Sequence, residues 1–423
     1  MSDKVLSGIY EMKTTLPLFF SKSMLAVSLV CGAVWLAVQP FRLCAMNPEG
    51  FDSLQMYRDS IRWSSNNVAK SEWLEKAARY SLRTGDTASL LSFKIEQAYL
   101  RFSSGNYVEA FDSLILIEKK ISDHVRVPSL LATDAVYKPF AVDSKDDSLW
   151  VGMHVTAGIS LAELEIYLSE FTEATDIVNR IMTLYVQDTT GIISVRCLNA
   201  LGAICAHRGM FDMAEKYFLH ALELGKPLMD TGSLASFYEN LAAIYAVKGD
   251  GNATLRYSLE SCKILEGAGL YGEHYIYALF YMGIAYVGLG EYDMAEKQFR
   301  EALDEATSRA FGHLSLYIRS NLVYVLVEQG NLEEAEMLAQ ENLVSAIEID
   351  NLEMQENALV YLSHIAEAHQ NFYEGLQYKD SAYRVGRRLI EQNNKLRQGI
   401  ICGGWNSTGN SKRWNVPSGR WPC

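Results

Sequence analysis

Small, apolar and glycine positions recur at fixed distances along most of this chain. Around Gly290, a small residue lies seven positions earlier (Gly283) and an aromatic four earlier (Tyr286). Tyr292, Ala295, Phe299 and Ala302 follow at plus two, plus five, plus nine and plus twelve. The same columns read Gly202, Cys205, Gly209, Phe211, Ala214, Phe218 and Ala221 upstream, and Val323, Leu326, Gly330, Leu332, Ala335, Ala339 and Asn342 downstream. Fainter copies centre on Gly105, Ser169, Gly249 and Gln370, so successive centres are 64, 40, 40, 41, 40 and 40 residues apart. Apolar residues three and four apart on both sides of each centre predict a pair of helices joined by a tight turn. The turn residue is expected in the left-handed conformation that ends a helix. Small residues at minus seven and plus five would let the two helices approach closely. The residues at plus nine and plus twelve are expected to pack on the first helix of the next repeat. Only Pro227 falls between Phe140 and Val416, which suits long uninterrupted helices.

These columns resemble the tetratricopeptide repeat, over roughly residues 88 to 388. The resemblance implies an all-α fold, a right-handed solenoid of helix–turn–helix units. The common spacing is about 34 residues, so a spacing near 40 adds about a turn per helix or lengthens the connections. Longer repeats of this kind are similar to those of bacterial peptide-sensing regulators and of the extracytoplasmic sensor halves of membrane-bound bacterial regulators. The expected division is a leader or anchor over 1–45, a helical cap over 46–87, and the array over 88–390 with an insertion at 122–150. A short helix and irregular tail follow over 391–423. Trp63, Trp73 and Leu74 are the expected core of the cap.

By resemblance, the first helices of such an array line a surface that binds a peptide or protein. Helical phase places Asn199, Asn240, Tyr281, Tyr317, Asn321, Tyr324 and Tyr361 there, with Arg196, Glu239, Tyr277, Phe280, Asn357 and His364 beside them. Tyrosine offers contact area with few rotors, and asparagine can pair with an extended backbone through its donor and acceptor. Asn240 and Asn321 hold the same position in their repeats, which suits a ladder of such contacts. The same tyrosines could instead pack between repeats. Arg196 is the one base of this set, so a carboxylate clamp of the chaperone-binding kind is not expected.

Charge and chemistry narrow the picture. The net charge is −13, and residues 291–356 hold 15 acids against four bases. This argues against nucleic acid as a partner and leaves two meanings for the acidic stretch: a basic partner, or a solvated second-helix face. The sequence holds no zinc spacing, phosphate-binding glycine loop or nucleophile elbow, so neither enzyme activity nor a cofactor or metal is expected. Cys197, Cys205 and Cys262 read as small buried hydrophobes.

The two ends differ from the array. Met24–Gln39 is an uncharged apolar run preceded by Lys4, Lys13 and Lys22 and followed by Pro40 and Leu43-Cys44-Ala45. This is the layout of an export signal, cleaved or kept as a membrane anchor. Past Gln398 the chain has no acid and no helical period, which suggests sequence that replaces a spanning helix and output domain. The sequence therefore predicts a non-enzymatic, exported or membrane-anchored binding protein, periplasmic if the signal is cleaved, and the resemblance implies the sensor part of a regulator. A scaffold or accessory role in an envelope complex is the alternative.

Overall fold

A computed structural model describes residues 54–58, 60–61, 67–103, 107–132, 135–138, 145–185, 191–309 and 311–408. Every regular element among them is a helix, as the periodicity predicts. The expected leader Met24–Gln39, the turn at Gly105, Trp63 and the chain after Thr408 lie outside the described residues.

The chain divides into two compact units, one holding residues 67–187 and the other residues 188–391. In the first, α1 (Asn67–Thr84), α2 (Thr87–Ser103), α3 (Tyr107–Val125), α4 (Lys145–Tyr167) and α5 (Phe171–Leu184) pack each against the next. Leu54, Tyr57 and Ile61 join Trp73, Leu74, Ala77 and Phe93 in a core at the start of this unit. Between α3 and α4, Leu130 is fully buried and its side chain fills the space above Gly158 of α4. A Cβ at position 158 would overlap that leucine, so the glycine is what admits it. The buried Glu118 carboxylate of α3 holds the same segment from below. It accepts hydrogen bonds from Ser129 Oγ at 2.6 Å, from the Leu130 N–H at 2.7 Å and from His154 Nε2 at 3.0 Å. The Tyr185 hydroxyl meets His154 Nδ1 at 2.6 Å and completes the chain. Burial, reinforced by Glu118, pushes the Tyr185 phenol above its ordinary range, so it stays a neutral donor.

The second unit is a TPR-like helical solenoid. Its first helices are α6 (Ile192–His207), α8 (Thr231–Val247), α10 (Glu273–Leu289), α12 (Gly312–Gln329) and α14 (Leu352–Ala368). Its second helices are α7 (Phe211–Gly225), α9 (Gly251–Gly267), α11 (Tyr292–Ser308), α13 (Leu332–Glu348) and the start of α15 (Phe372–Thr408). Each second helix from α7 to α13 packs on its own first helix and on the next. First helices also touch in sequence: α8 with α10, α10 with α12, α12 with α14.

The turn backbone follows from one hydrogen-bond pattern. Gly209, Gly249, Gly290 and Gly330 have φ between 74° and 81°, and Ser169 and Gln370, the non-glycine members of the column, have φ 63°. At Gly290 the next N–H, of Glu291, reaches back to the Tyr286 carbonyl and the Gly290 N–H to that of Val287. The same two bonds close the turns at Ser169, Gly209, Gly249, Gly330 and Gln370. This Schellman closure satisfies carbonyls that a helix end leaves orphaned. It is favourable enough to hold serine and glutamine in a conformation that costs side-chain-bearing residues about 1–2 kcal/mol.

Plus nine packs on its own repeat, a contact the expectation did not include: the Phe218 ring lies over Gly202 and the Phe299 ring over Gly283. A Cβ on either glycine would stand 2.6 Å from the ring. Residues seven before and nine after the turn are nearly level in an antiparallel hairpin, so a ring at one needs a bare backbone at the other. Helix α15 departs from the sequence pattern by running on to Thr408, past Gln398 where irregular chain is expected.

Candidate functional site

The candidate groove residues occupy the first helices, and most of them are buried between those helices. Asn199, Asn240, Tyr281, Tyr317 and Tyr361 are buried, as are Arg196, Glu239, Tyr277, Phe280 and Asn357. Asn321, Tyr324 and His364 are only half-buried. Successive first helices lie close enough for direct polar pairing. Asn240 Nδ2 donates to Asn199 Oδ1 at 2.9 Å, from α8 to α6. Ser320 of α12 donates to Asn357 of α14. Asn321 Nδ2 donates to the Tyr317 carbonyl of its own helix at 2.9 Å. The Asn240 amide group thus serves the neighbouring helix, and Asn321 of the same column serves its own.

A buried ion pair absent from the sequence reading joins α8, α9 and α10. His274 Nδ1 lies 2.9 Å from Glu239 Oε2, and Ser261 Oγ donates to Glu239 Oε1 at 3.3 Å. Burial works against a charged imidazole here. The Glu239 carboxylate and hydrogen bond, helped by Glu273 and Asp230, outweigh it and raise the His274 pKa. A raised histidine stabilises the fold fully below the unfolded pKa of about 6.5, and that contribution is lost as pH rises through the folded value. Melting temperature is therefore expected to fall as pH rises above about 6.5, and His274→Gln should flatten that slope. Equal slopes in the two proteins would sink this assignment. The pair is distinct from His207, which burial pushes down to about 4, so that His207 weakens the fold only as pH falls below 6.5.

Around α12 the surface is more open. Tyr324 hydrogen-bonds Tyr292 of α11, whose hydroxyl donates to Glu328 Oε2 at 3.3 Å. Burial, then the Glu328 charge, pushes the Tyr324 phenol upward, and burial does the same to Tyr361. Both remain neutral hydrogen-bonding groups. Asn321, Tyr324 and His364 are the half-buried polar and aromatic members of the set on α12 and α14, with the buried Tyr361 near Tyr324, and could hold an extended backbone or a ring. Of the candidate set, this is the part with side chains in reach of solvent.

Other features settle into structural roles. None of the 15 acids between Glu291 and Glu356 is buried. Several make pairs at the surface, Glu296 and Glu334 with Arg300 and Glu305 with Arg309, as a solvated second-helix face would. Cys197, Cys205 and Cys262 are buried and in no disulfide; burial pushes the Cys205 thiol up, and burial with Glu266 pushes Cys262 up to about 12, so neither of these two is a thiolate at neutral pH. Among the described residues, no group of three His, Cys, Asp or Glu side chains is placed to hold a metal ion, and no helix is long and apolar enough to cross a membrane.

Comparison with known proteins agrees with the geometry. Residues 315–349, comprising most of α12 and all of α13, match the tetratricopeptide repeat model. No curated protein sequence matches the chain. Among solved structures, the apo quorum sensor NprR from B. thuringiensis is 14% identical, covering 81% of this chain and 89% of its own, with a TM-score of 0.52. A Rap protein complexed with Competence and Sporulation Factor is 16% identical, covering 70% of this chain and 77% of its own, at 0.52. A signal-transduction ATPase with a tetratricopeptide repeat sensor, from Pyrococcus horikoshii, is 14% identical, covering 78% of this chain and 47% of its own, at 0.54. At these identities the likeness is one of fold. The chain is an all-α protein of tetratricopeptide-like helical hairpins, similar in fold to these three proteins.

Proposed function

We propose that this chain is a non-enzymatic binding protein that takes a peptide or an extended protein segment on the first-helix row of its solenoid. The half-buried patch of Asn321, Tyr324 and His364 carries the reading, because it joins an amide donor and acceptor to aromatic area. The fold likeness to a Rap protein solved with Competence and Sporulation Factor, and to a quorum sensor, supports it. Selection of linear peptides from a random display library against the chain is expected to enrich binders that lose affinity at least tenfold to Asn321→Ala/Tyr324→Ala. Binders that hold this variant as tightly as the parent would overturn the patch.

The same reading makes the chain the sensing part of a signalling protein, delivered outside the cytoplasm by the Met24–Gln39 run. A fusion of residues 1–60 to an export-dependent reporter should be active, and a silent reporter would remove export from the reading.

A further inference from the structure

In each earlier hairpin of the second unit, the last turn of the following first helix covers the second helix. Tyr245 donates to Glu215 at 2.6 Å and Lys248 pairs with Asp212 and Glu215, so α8 covers α7. A Cβ on Gly251 would meet the Ala285 carbonyl and Leu289, so α10 lies directly on α9. Tyr292 donates to Glu328 and Gln329 to Asp293, which places α12 on α11. His369 stands 3.8 Å from Glu336, at the end of α14 over α13.

On α15 the corresponding positions, plus two, three, six and thirteen, are Phe372, Tyr373, Leu376 and Tyr383. They are 68%, 75%, 65% and 66% exposed, and Ile390 continues the stripe at 62%. Their chemistry has also changed. Plus three is Asp212, Asn252, Asp293 and Glu333 in the earlier hairpins, and plus six is Glu215, Leu255, Glu296 and Glu336. The acids that receive Lys248, Gln329 and His369 are replaced here by Tyr373 and Leu376. This face continues the inter-repeat interface in position, but it no longer suits another first helix of the same kind.

We propose that the open face of α15 pairs with the same face of a second copy of this chain. Leu376, Tyr383 and Ile390 are seven residues apart, two helical turns, and form one straight stripe. An antiparallel two-fold pairing centred on Tyr383 sets Leu376 against Ile390 of the second copy and closes the contact on itself. Asp380 and Arg387 lie between the apolar residues, and in this register Asp380 of one copy falls within one residue's rise, about 1.5 Å, of Arg387 of the other. At present both are spent on exposed pairs within α15, with Arg384 and Glu391. Such pairs contribute little and exchange readily for contacts across an interface. The residues that hold α15 on α14, such as Gly375 and Ala382, are on a different face and stay where they are.

Sedimentation velocity of the full chain over micromolar to tens-of-micromolar concentrations tests this. The expected result is a concentration-dependent dimer. Leu376→Glu/Tyr383→Glu should be monomeric throughout, with unchanged helical circular dichroism because both residues are exposed. Asp380→Arg alone should weaken dimerisation at least tenfold, and adding Arg387→Asp should recover it to within about threefold. A wild-type chain that stays monomeric, a dimer indifferent to the Leu376 and Tyr383 changes, or a charge swap without recovery would each overturn the proposal.

Discussion

Phe299→Ala is expected to destabilise the second unit by about 3–5 kcal/mol, the usual cost of emptying a phenylalanine site in a packed core. The ring is fully buried and lies over Gly283, a position with no side chain of its own to move into the space. The pair should be strongly coupled. Gly283→Ala places a Cβ 2.6 Å from the ring, so in the parent it forces the ring or the hairpin apart, at about 1–3 kcal/mol. In the Phe299→Ala background the same change fills part of a void and should be neutral or stabilising. Urea unfolding followed by circular dichroism gives the sum, and hydrogen exchange in α10 and α11 places it. Additive effects would mean that ring and glycine are not one unit, contrary to the intra-repeat packing described above.

Glu118→Leu is expected to cost a similar amount, about 3–5 kcal/mol, for a different reason. Volume is nearly kept, but Ser129 Oγ, the Leu130 N–H and His154 Nε2 lose their common acceptor inside a core where Glu118 and His154 are fully buried. Buried donors left unpaired cost far more than the net value of the bonds they made. Glu118→Gln keeps one acceptor oxygen and should fall between. The loss should also be local. Leu130 is held by Glu118 and by Arg180 Nη1, which donates to its carbonyl at 2.6 Å. Freed of Glu118, the segment between α3 and α4 should become a site of limited tryptic proteolysis at Arg126. A variant with parental melting and an unchanged digestion pattern would refute this role.

What could be read from the sequence divides by distance along the chain. The turns were legible because one residue in forty must adopt positive φ, and glycine marks it at Gly209, Gly249, Gly290 and Gly330. Ser169 and Gln370 carry no such mark, and only the spacing reveals them. The helices were legible because their apolar period is local. The contact of plus nine with its own first helix is absent from the expectation, although a compensation in size is visible in the sequence. Gly202 and Gly283 accompany Phe218 and Phe299, whereas Ala242 and Val323 accompany Ser258 and Ala339. The polar groups inside were not legible. Asn199 and Asn240, Glu239 and His274, and Glu118 and His154 are 41, 35 and 36 residues apart, and nothing in the sequence around one names the other. Helical phase puts the groove candidates on the first helices. It could not show how closely those helices approach one another, and that approach buries Tyr281, Tyr317 and Tyr361 while leaving Asn321 and Tyr324 within reach.

The alternation of glycine-with-phenylalanine hairpins and small-residue hairpins has a mechanical consequence. A hairpin locked by its own ring, α6–α7 or α10–α11, resists shear between its two helices. A hairpin whose matching positions are Ala242 and Ser258, or Val323 and Ala339, has no such bolt and takes its shape from the hairpins on either side. A bending load on the unit is then expected to collect in α8–α9 and α12–α13 rather than in the ring-locked hairpins. The second of these carries Asn321 and Tyr324, so the proposed ligand patch is expected to sit on a link that yields.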